Sequence, residues 1–204
     1  MVEPIPFFKM NGCGNDFILI DSRSAQVPTD LVTFTRRVCR RKLSVGADGL
    51  ILIEPSDRYD FQWQFYNSDG SRAEMCGNGA RCAARFAYEA GIAGEKMVFK
   101  TDAGPIEAEM RGEQVKLKMT PPLDCRIDFA ISVKGEKRVL SSINTGVPHV
   151  VLEQNGLADA DIVSLGRAIR HHDAFAPAGT NVNFVVPADG EGLLVRTYER
   201  GVED

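Results

Sequence analysis

Apolar side chains recur along this chain mostly in short alternating or continuous runs, the pattern of strands, separated by clusters of Gly, Asn, Asp and Pro. The first two runs, "FFKM" and "DFILID", predict a hairpin joined through "NGCGN". In "PTDLVTFTRRVCRR" the spacing changes: Leu31, Phe34 and Val38 share a helical face, with Thr29 or Asp30 available as the cap. "GLILIEP" is a continuous apolar run and reads as a buried strand. Phe61, Trp63 and Phe65 alternate with polar neighbours in "DFQWQFYNSDGS" and run into a turn at "NSDG". Residues 80–90 predict a second helix, stopped by Gly91. "MVFKTDAGPIEAEM" and "QVKLKMT" then predict three strands, with Val115, Leu117 and Met119 on one face.

The two prolines of "MTPPLD" cannot continue a sheet interior, so a boundary is expected there, dividing the chain into 1–119 and 120–204. Beyond it the pattern predicts a hairpin around "VKGEKRV", a strand at "HVVLE" and a helix from about Asp159 to His172. Ile162, Leu165 and Ile169 form that helix's apolar side, and the strands "NVNFVVP" and "LLVRTYER" follow. Both halves run strands, helix, strands, an order that hints at a duplicated architecture. The second half is short and stops on the polar "YERGVED" directly after a strand. The expectation is that a further segment is missing or that the second lobe is incomplete.

Composition narrows the class. Of 204 residues 44% are hydrophobic and 25% charged, and no apolar run approaches the length of a membrane span. The opening "MVEPIPFFKM" lacks the basic-then-apolar order of a secretory signal, so a cytoplasmic protein is expected. A net charge of -4 spread along the chain argues against a nucleic-acid partner. The one basic cluster, Arg36, Arg37, Arg40, Arg41 and Lys42, reads as a solvated helix face. Five cysteines, an odd number with no C-x-x-C pair, suit neither a disulfide framework nor a zinc site. Cys13, Cys39, Cys82 and Cys125 are expected to be small buried hydrophobes.

Cys76 differs. In "AEMCGNGARCAARFAYEAG" it stands at a helix opening, followed by Gly77, Asn78 and Gly79. Backbone N–H groups at a helix start lack partners, and the macrodipole adds about half a positive charge. The glycines let an anion approach those donors, and a thiol there is favoured as thiolate. The motif thus offers a seat for a carboxylate with a base beside it, the pairing needed to remove a proton from the adjacent carbon. A purely structural cysteine, a phosphate cradle and a thiol hydrolase using His149 remain open on these residues. Asn15, Asn67 and Asn181 lie at predicted turns or strand ends, and Glu199 and Arg200 sit side by side at a strand end. Each has an ordinary structural use; together, amides and an arginine for carboxylates and an acid for an ammonium suit a zwitterion.

"KMNGCGNDFILID", "GADGLILIE", "FYNSDGSRAEMCGNGARCAARF", "NTGVPHVV" and "YERGVED", in that order, closely resemble the diaminopimelate epimerase family, from about Phe8 to Asp204. The resemblance implies an α+β fold of two similar lobes, each a curved, mainly antiparallel sheet wrapped around a central helix. The implied reaction inverts the α-carbon of LL-2,6-diaminopimelate to give the meso form, for lysine and peptidoglycan precursors. It implies no pyridoxal phosphate or other cofactor, no metal, a small-molecule substrate and a homodimer. Cys76 matches one of two opposed catalytic cysteines; Gly77 and Asn78 match the seat of the reacting carboxylate. Asn15, Asn67 and Asn181 match substrate-binding asparagines, Glu199 and Arg200 a pair contacting amino and carboxylate groups, and His149 a histidine close to the reacting centre. Val147 stands where some relatives carry Asn. The second family cysteine belongs to an "ACGTG"-like segment after "YERG", and none of the other four cysteines here matches it. The competing readings are a catalytically silent relative that binds diamino dicarboxylates, and a proline-type racemase on the same fold.

Overall fold

A computed structural model describes residues 4–119, 121–157, 162–188, 190 and 192–199. The chain divides into two compact units, Met1–Thr120 and Pro121–Asp204. Both are α+β, built on mixed sheets in which antiparallel pairs predominate.

The first unit is a seven-stranded sheet whose spatial order is its chain order: β1 (Phe8–Gly12), β2 (Asn15–Asp21), β3 (Gly49–Glu54), β4 (Phe61–Asn67), β5 (Lys96–Thr101), β6 (Gly104–Arg111) and β7 (Gln114–Lys118). β1 and β2 form the expected hairpin, with Gly12 opposite Asn15 and only Cys13 and Gly14 between them. Both turn residues have positive φ, 53° and 96°, the backbone of a type I′ turn. β2 runs parallel to β3, and β4 parallel to β5, so each pair needs a crossover. Helix α1 (Leu31–Val38) lies in the first crossover and α2 (Gly77–Glu89) in the second.

The two helices cover opposite faces. Ile18, Ile20, Leu50 and Leu52 form one core, against which Leu31, Phe34 and Val38 of α1 pack. Phe17, Leu19, Ile51, Ile53 and Phe65 form the other, with Ala80, Ala83, Ala84, Phe86 and Ala87 of α2. This two-sided burial explains why "FILI" and "LILI" read as unbroken apolar runs. α2 touches β1, β2, β3, β6 and β7. A sheet whose first and last strands both reach one helix must curl around it. The small face of α2 permits this: a Cβ on Gly12 would lie 2.8 Å from the Asn78 carbonyl oxygen and 3.0 Å from the Cys82 sulfur. At its far end α2 closes on Gly91 (φ 68°), where Ile92 N–H donates to the Ala87 carbonyl and Gly91 N–H to that of Tyr88.

Some details differ from expectation. α2 begins at Gly77, three residues before the predicted start, because Cys76 caps it. α1 ends at Val38, capped at its start by Asp30, whose carboxylate accepts Thr33 N–H. The basic cluster that follows is not wholly a solvated face: Arg41 bridges Asp16 and Asp48, at 2.6 and 2.8 Å. Cys39 and Cys82 are buried as expected, but Cys13 and Cys125 are exposed. Cys13 occupies the hairpin turn and Cys125 an edge strand, positions that periodicity alone does not distinguish from core.

The second unit is a five-stranded sheet ordered β12-β11-β10-β9-β8, where β8 is Leu123–Val133, β9 Glu136–Asn144, β10 Pro148–Glu153, β11 Asn181–Pro187 and β12 Leu193–Tyr198. β10 and β11 are parallel, joined by a crossover containing α3 (Ile162–Arg170). Ile162 and Ile169 pack with Val150, Leu152, Val182, Phe184 and Tyr198 on one face. Antiparallel hairpin, helical crossover and antiparallel return thus occur in both units: β1-β2-α1-β3-β4 and β9-β10-α3-β11-β12 share one topology.

Gly49 shows how tightly β3 and β4 meet. A Cβ there would fall 2.6 Å from the Phe65 ring and 2.7 Å from the Tyr66 carbonyl oxygen. Gly49→Ala is expected to destabilise the protein by about 1–3 kcal/mol through overpacking, read as a lower urea midpoint at unchanged m-value.

Candidate active site

The sequence-predicted residues fall into two groups, one per unit. In the first unit, neighbouring strand ends converge. β2 begins at Asn15, β3 begins just after Asp48, and β4 ends at Asn67, which pairs with Gly49. α2 opens over the same end. Asn78 Nδ2 donates to Asn15 Oδ1 at 2.8 Å, and Asn15 Nδ2 donates to Asp48 at 3.1 Å. Asp48 also accepts the Asp16 N–H and pairs with Arg41. Asn15 is only 4% exposed, so its amide chiefly ties the start of β2 to the helix opening. Its second Nδ2 hydrogen has no protein acceptor among the described residues. Asn67 anchors the turn after β4, donating to Ser71 Oγ at 3.0 Å, while its backbone N–H donates to the Ser71 carbonyl.

Cys76 is the N-cap of α2, in extended backbone (φ -149°, ψ 119°), and is partly exposed. Its sulfur accepts the Gly79 N–H at 3.4 Å and its carbonyl accepts the Ala80 N–H at 2.8 Å. Among the described residues, the N–H groups of Gly77 and Asn78 donate to no protein acceptor. A Cβ on Gly77 would meet only Arg81 Nη1, at 3.5 Å, so the approach to those donors is open. Sulfur and two open amides therefore occupy one helix start, which favours an anion on either. Cys82, one and a half turns on, is its opposite: burial pushes that thiol up to about 12, and nearby Cys76 and Cys13 add to the rise. It is poorly suited to act as a base.

A cavity of about 390 Å³ lies beside α2, lined by Met10 of β1, Cys13 of the hairpin turn, Arg81 and Cys82 of α2 and Val115 of β7, among others. None of the sequence-predicted residues lines it. The Cys76 sulfur and the open amides lie at the helix opening instead.

In the second unit the same strand-end arrangement recurs. His149 pairs with Asn181 across β10 and β11, and Val182 pairs with Tyr198, placing Glu199 at the outgoing end of β12. Alternation turns Val150, Val182 and Tyr198 into the core and leaves His149, Asn181 and Glu199 on the other side. His149 Nδ1 lies 3.3 Å from Asn183 Nδ2, which also donates to the Val150 carbonyl at 3.0 Å, while Thr197 Oγ1 donates to Asn183 Oδ1. With its amide so oriented, Asn183 donates to Nδ1, leaving the imidazole proton on Nε2. Burial lowers the His149 pKa, which keeps the ring neutral near pH 7. Burial raises the Glu199 carboxyl above its ordinary value, and the charge of Arg170 opposes that rise. Arg200 lies outside the described residues.

Sequence reading missed Asp48, Arg170, Asn183 and Thr197. Asp48 sits in "GADGLILIE", a stretch that carries the family resemblance without pointing to its bond with Asn15; the others lie within predicted elements, where nothing local shows that their partners are across the sheet.

The diaminopimelate epimerase family model matches residues 7–123. Diaminopimelate epimerase from Aquifex aeolicus is 50% identical over 208 residues, covering 97% of this chain and 74% of that protein. The enzyme of the same name from Archaeoglobus fulgidus is 43% identical, covering 98% and 75%. The chain belongs to the diaminopimelate epimerase family. It spans about three quarters of the length of these relatives. Among solved structures, a hydroxyproline epimerase from Agrobacterium vitis superposes with a TM-score of 0.70 at 16% identity, over 94% of this chain and 69% of that one. A PhzF-family phenazine biosynthesis protein from Bacillus anthracis gives 0.69 at 14%, over 99% and 74%. At such identities these two speak for the fold alone, and the fold they share is the one expected of the diaminopimelate epimerase family.

The lowered His149 pKa has a consequence for stability. A group depressed on folding contributes stability above its unfolded value, near 6.5, and that contribution fades as pH falls through the folded value. Proton NMR should show His149 titrating below 6.5. The acid-side loss of stability beginning near that pH should be smaller in His149→Gln.

Proposed function

We propose that the protein interconverts LL- and meso-diaminopimelate by proton transfer at the α-carbon, with Cys76 as one of the acid–base groups. One observation carries this reading: Cys76 sulfur caps a helix whose next two backbone N–H groups have no protein acceptor among the described residues. A substrate carboxylate on the Gly77 and Asn78 N–H groups would set its α-carbon beside the sulfur. As the thiolate takes the α-proton, the C–H electron pair moves towards the carboxylate and its charge grows. Fixed amides and a helix dipole stabilise that charge without reorganising, an effect worth about 10²–10³ in rate for a single donor of this type. The thiolate becomes a thiol, and a second acid must deliver a proton to the opposite face; the family resemblance assigns it to a second cysteine.

The second unit carries polar groups of its own that suit a zwitterion. Asn181 and, by resemblance, Arg200 suit a carboxylate; Glu199 suits an ammonium group; neutral His149 offers an Nε2 donor near them. The first unit has amide donors of its own in Asn67 and the remaining hydrogen of Asn15. The family name places the reaction in lysine biosynthesis, and the proposal extends to a cytoplasmic homodimer that uses no cofactor or metal. No helix among the described residues is long and apolar enough to cross a membrane. A binding-only role and a proline-type racemase are the alternatives, and kinship with epimerases of 43–50% identity favours the first reading over both.

Cys76→Ala, in the protein as its gene encodes it, should cut epimerisation by at least about 10³-fold while lowering the melting temperature by only the few degrees that loss of a weak helix cap costs. Cys76→Ser should be almost as poor, since a hydroxyl is a much weaker acid than a thiol. Turnover in deuterated water, followed by α-deuterium in both isomers, is the measurement. Incorporation at the wild-type rate in Cys76→Ala would remove the thiol from the mechanism.

A further inference from the structure

Arg170, the last residue of α3, is 7% exposed, and the reaction outlined above gives it no part. A cation at a helix C-terminus is favourable, but an exposed side chain satisfies that condition. This one is buried, and its Nη1 donates to two oxygens: the Thr180 carbonyl and Asn181 Oδ1, both at 3.1 Å. The backbone returns closely over it, since a Cβ on Gly179 (φ 71°) would lie 3.0 Å from the Arg170 carbonyl oxygen.

The chemistry of the pair sets its polarity. A guanidinium has five N–H donors and no acceptor, so the Asn181 atom facing it is the oxygen. The amide nitrogen is then turned away from the guanidinium, at a strand position that pairs with His149. An asparagine free to rotate could present either end to a ligand. Held by a cation behind it, Asn181 presents two donors and no acceptor, a surface for a carboxylate oxygen and not for an ammonium.

The geometry points to Arg170 as a positioning residue: its buried guanidinium locks the Asn181 amide with nitrogen outward, dedicating this corner of the second unit to a substrate carboxylate. Glu199, an acceptor towards which the same cation exerts its field, is left as the ammonium partner. Arg170 thus separates the two ends of a zwitterion without touching it. The identity of the ligand rests on the epimerase reading; the amide orientation does not.

The test uses Arg170→Met, Arg170→Lys, Asn181→Ala and the double variant Arg170→Met/Asn181→Ala. Arg170→Met is expected to raise KM for diaminopimelate roughly tenfold with a smaller change in kcat, and Arg170→Lys to recover part of that loss. In the Asn181→Ala background, Arg170→Met should add little, because the amide it positions is gone. Equal factors in both backgrounds, or an unchanged KM alongside a lower melting temperature, would reduce Arg170 to a structural residue. If Arg170→Met does not fold, Arg170→Lys carries the comparison. A turnover-free reading comes from the Asn181 side-chain amide resonances, assigned by their loss in Asn181→Ala. They should move in the ligand-free Arg170 variants, and unmoved resonances would overturn the proposal. A wild-type protein inert towards diaminopimelate would sink the functional reading while leaving this spectrum to decide on Arg170.

Discussion

Backbone N–H groups at a helix start cannot be satisfied within the helix, and the rest of the first unit is arranged around that constraint at α2. Cys76 takes one of them through sulfur, Gly77 and Asn78 keep theirs open, and the absent side chain of Gly77 leaves the approach clear, while that of Gly79 lets Ile51 and Phe17 pack against the helix start. The alanine-rich face behind them lets the sheet curl onto the helix until both edge strands touch it. Gly12 is part of the same fit, bringing β1 against the Asn78 carbonyl. The helix opening is thus held from below by Asn15 and Asp48 and from the side by β1, so the sulfur and the open amides keep a fixed relation.

The second unit applies the same topology to different chemistry. The ends of two parallel strands and one antiparallel strand meet in both units, carrying Asn15, Asp48 and Asn67 in the first and His149, Asn181 and Glu199 in the second. In a parallel pair bounded by an antiparallel neighbour, three strand ends leave the sheet on the same side, and no ladder partner occupies the space beyond them. Polar side chains there are free of the ladder and bond to one another, as Asn15 does to Asp48 and Asn78. The duplication therefore yields two polar corners, one built around a thiol and open amides, the other around a neutral imidazole, a raised carboxyl and an amide held by a buried cation.

Two cations, one exposed and one buried, serve orientation in this protein. Arg41 joins Asp16 and Asp48 at the mouth of the first unit, and Asp48 in turn holds Asn15. Arg170 does the comparable work for Asn181. In the first place the cation acts through a carboxylate that holds the amide, and in the second it grips the amide oxygen directly. An amide is the group that gains most from such a hold, because its two ends offer opposite hydrogen-bonding character and little else decides between them.

Much was legible along the chain. The period-two runs, the capped amphipathic α1, the stop at Gly91 and the glycine-bracketed thiol are local signals, set by a few neighbouring residues, and the elements followed them to within a few positions. The Cys76 motif was readable for the same reason: a cap, a bare backbone and a dipole are properties of one turn of helix. The exposure of Cys13 and Cys125, the bridging role of Arg41, and the Asn183–Thr197 and Arg170–Asn181 contacts could not be read this way. Each depends on residues brought together by strand register or by a returning loop. Sequence alone determined which backbone would be helix or strand and that a cysteine would stand at a helix start with a bare backbone behind it; only the tertiary structure decided which way the amides face, because that choice belongs to partners far apart in the chain.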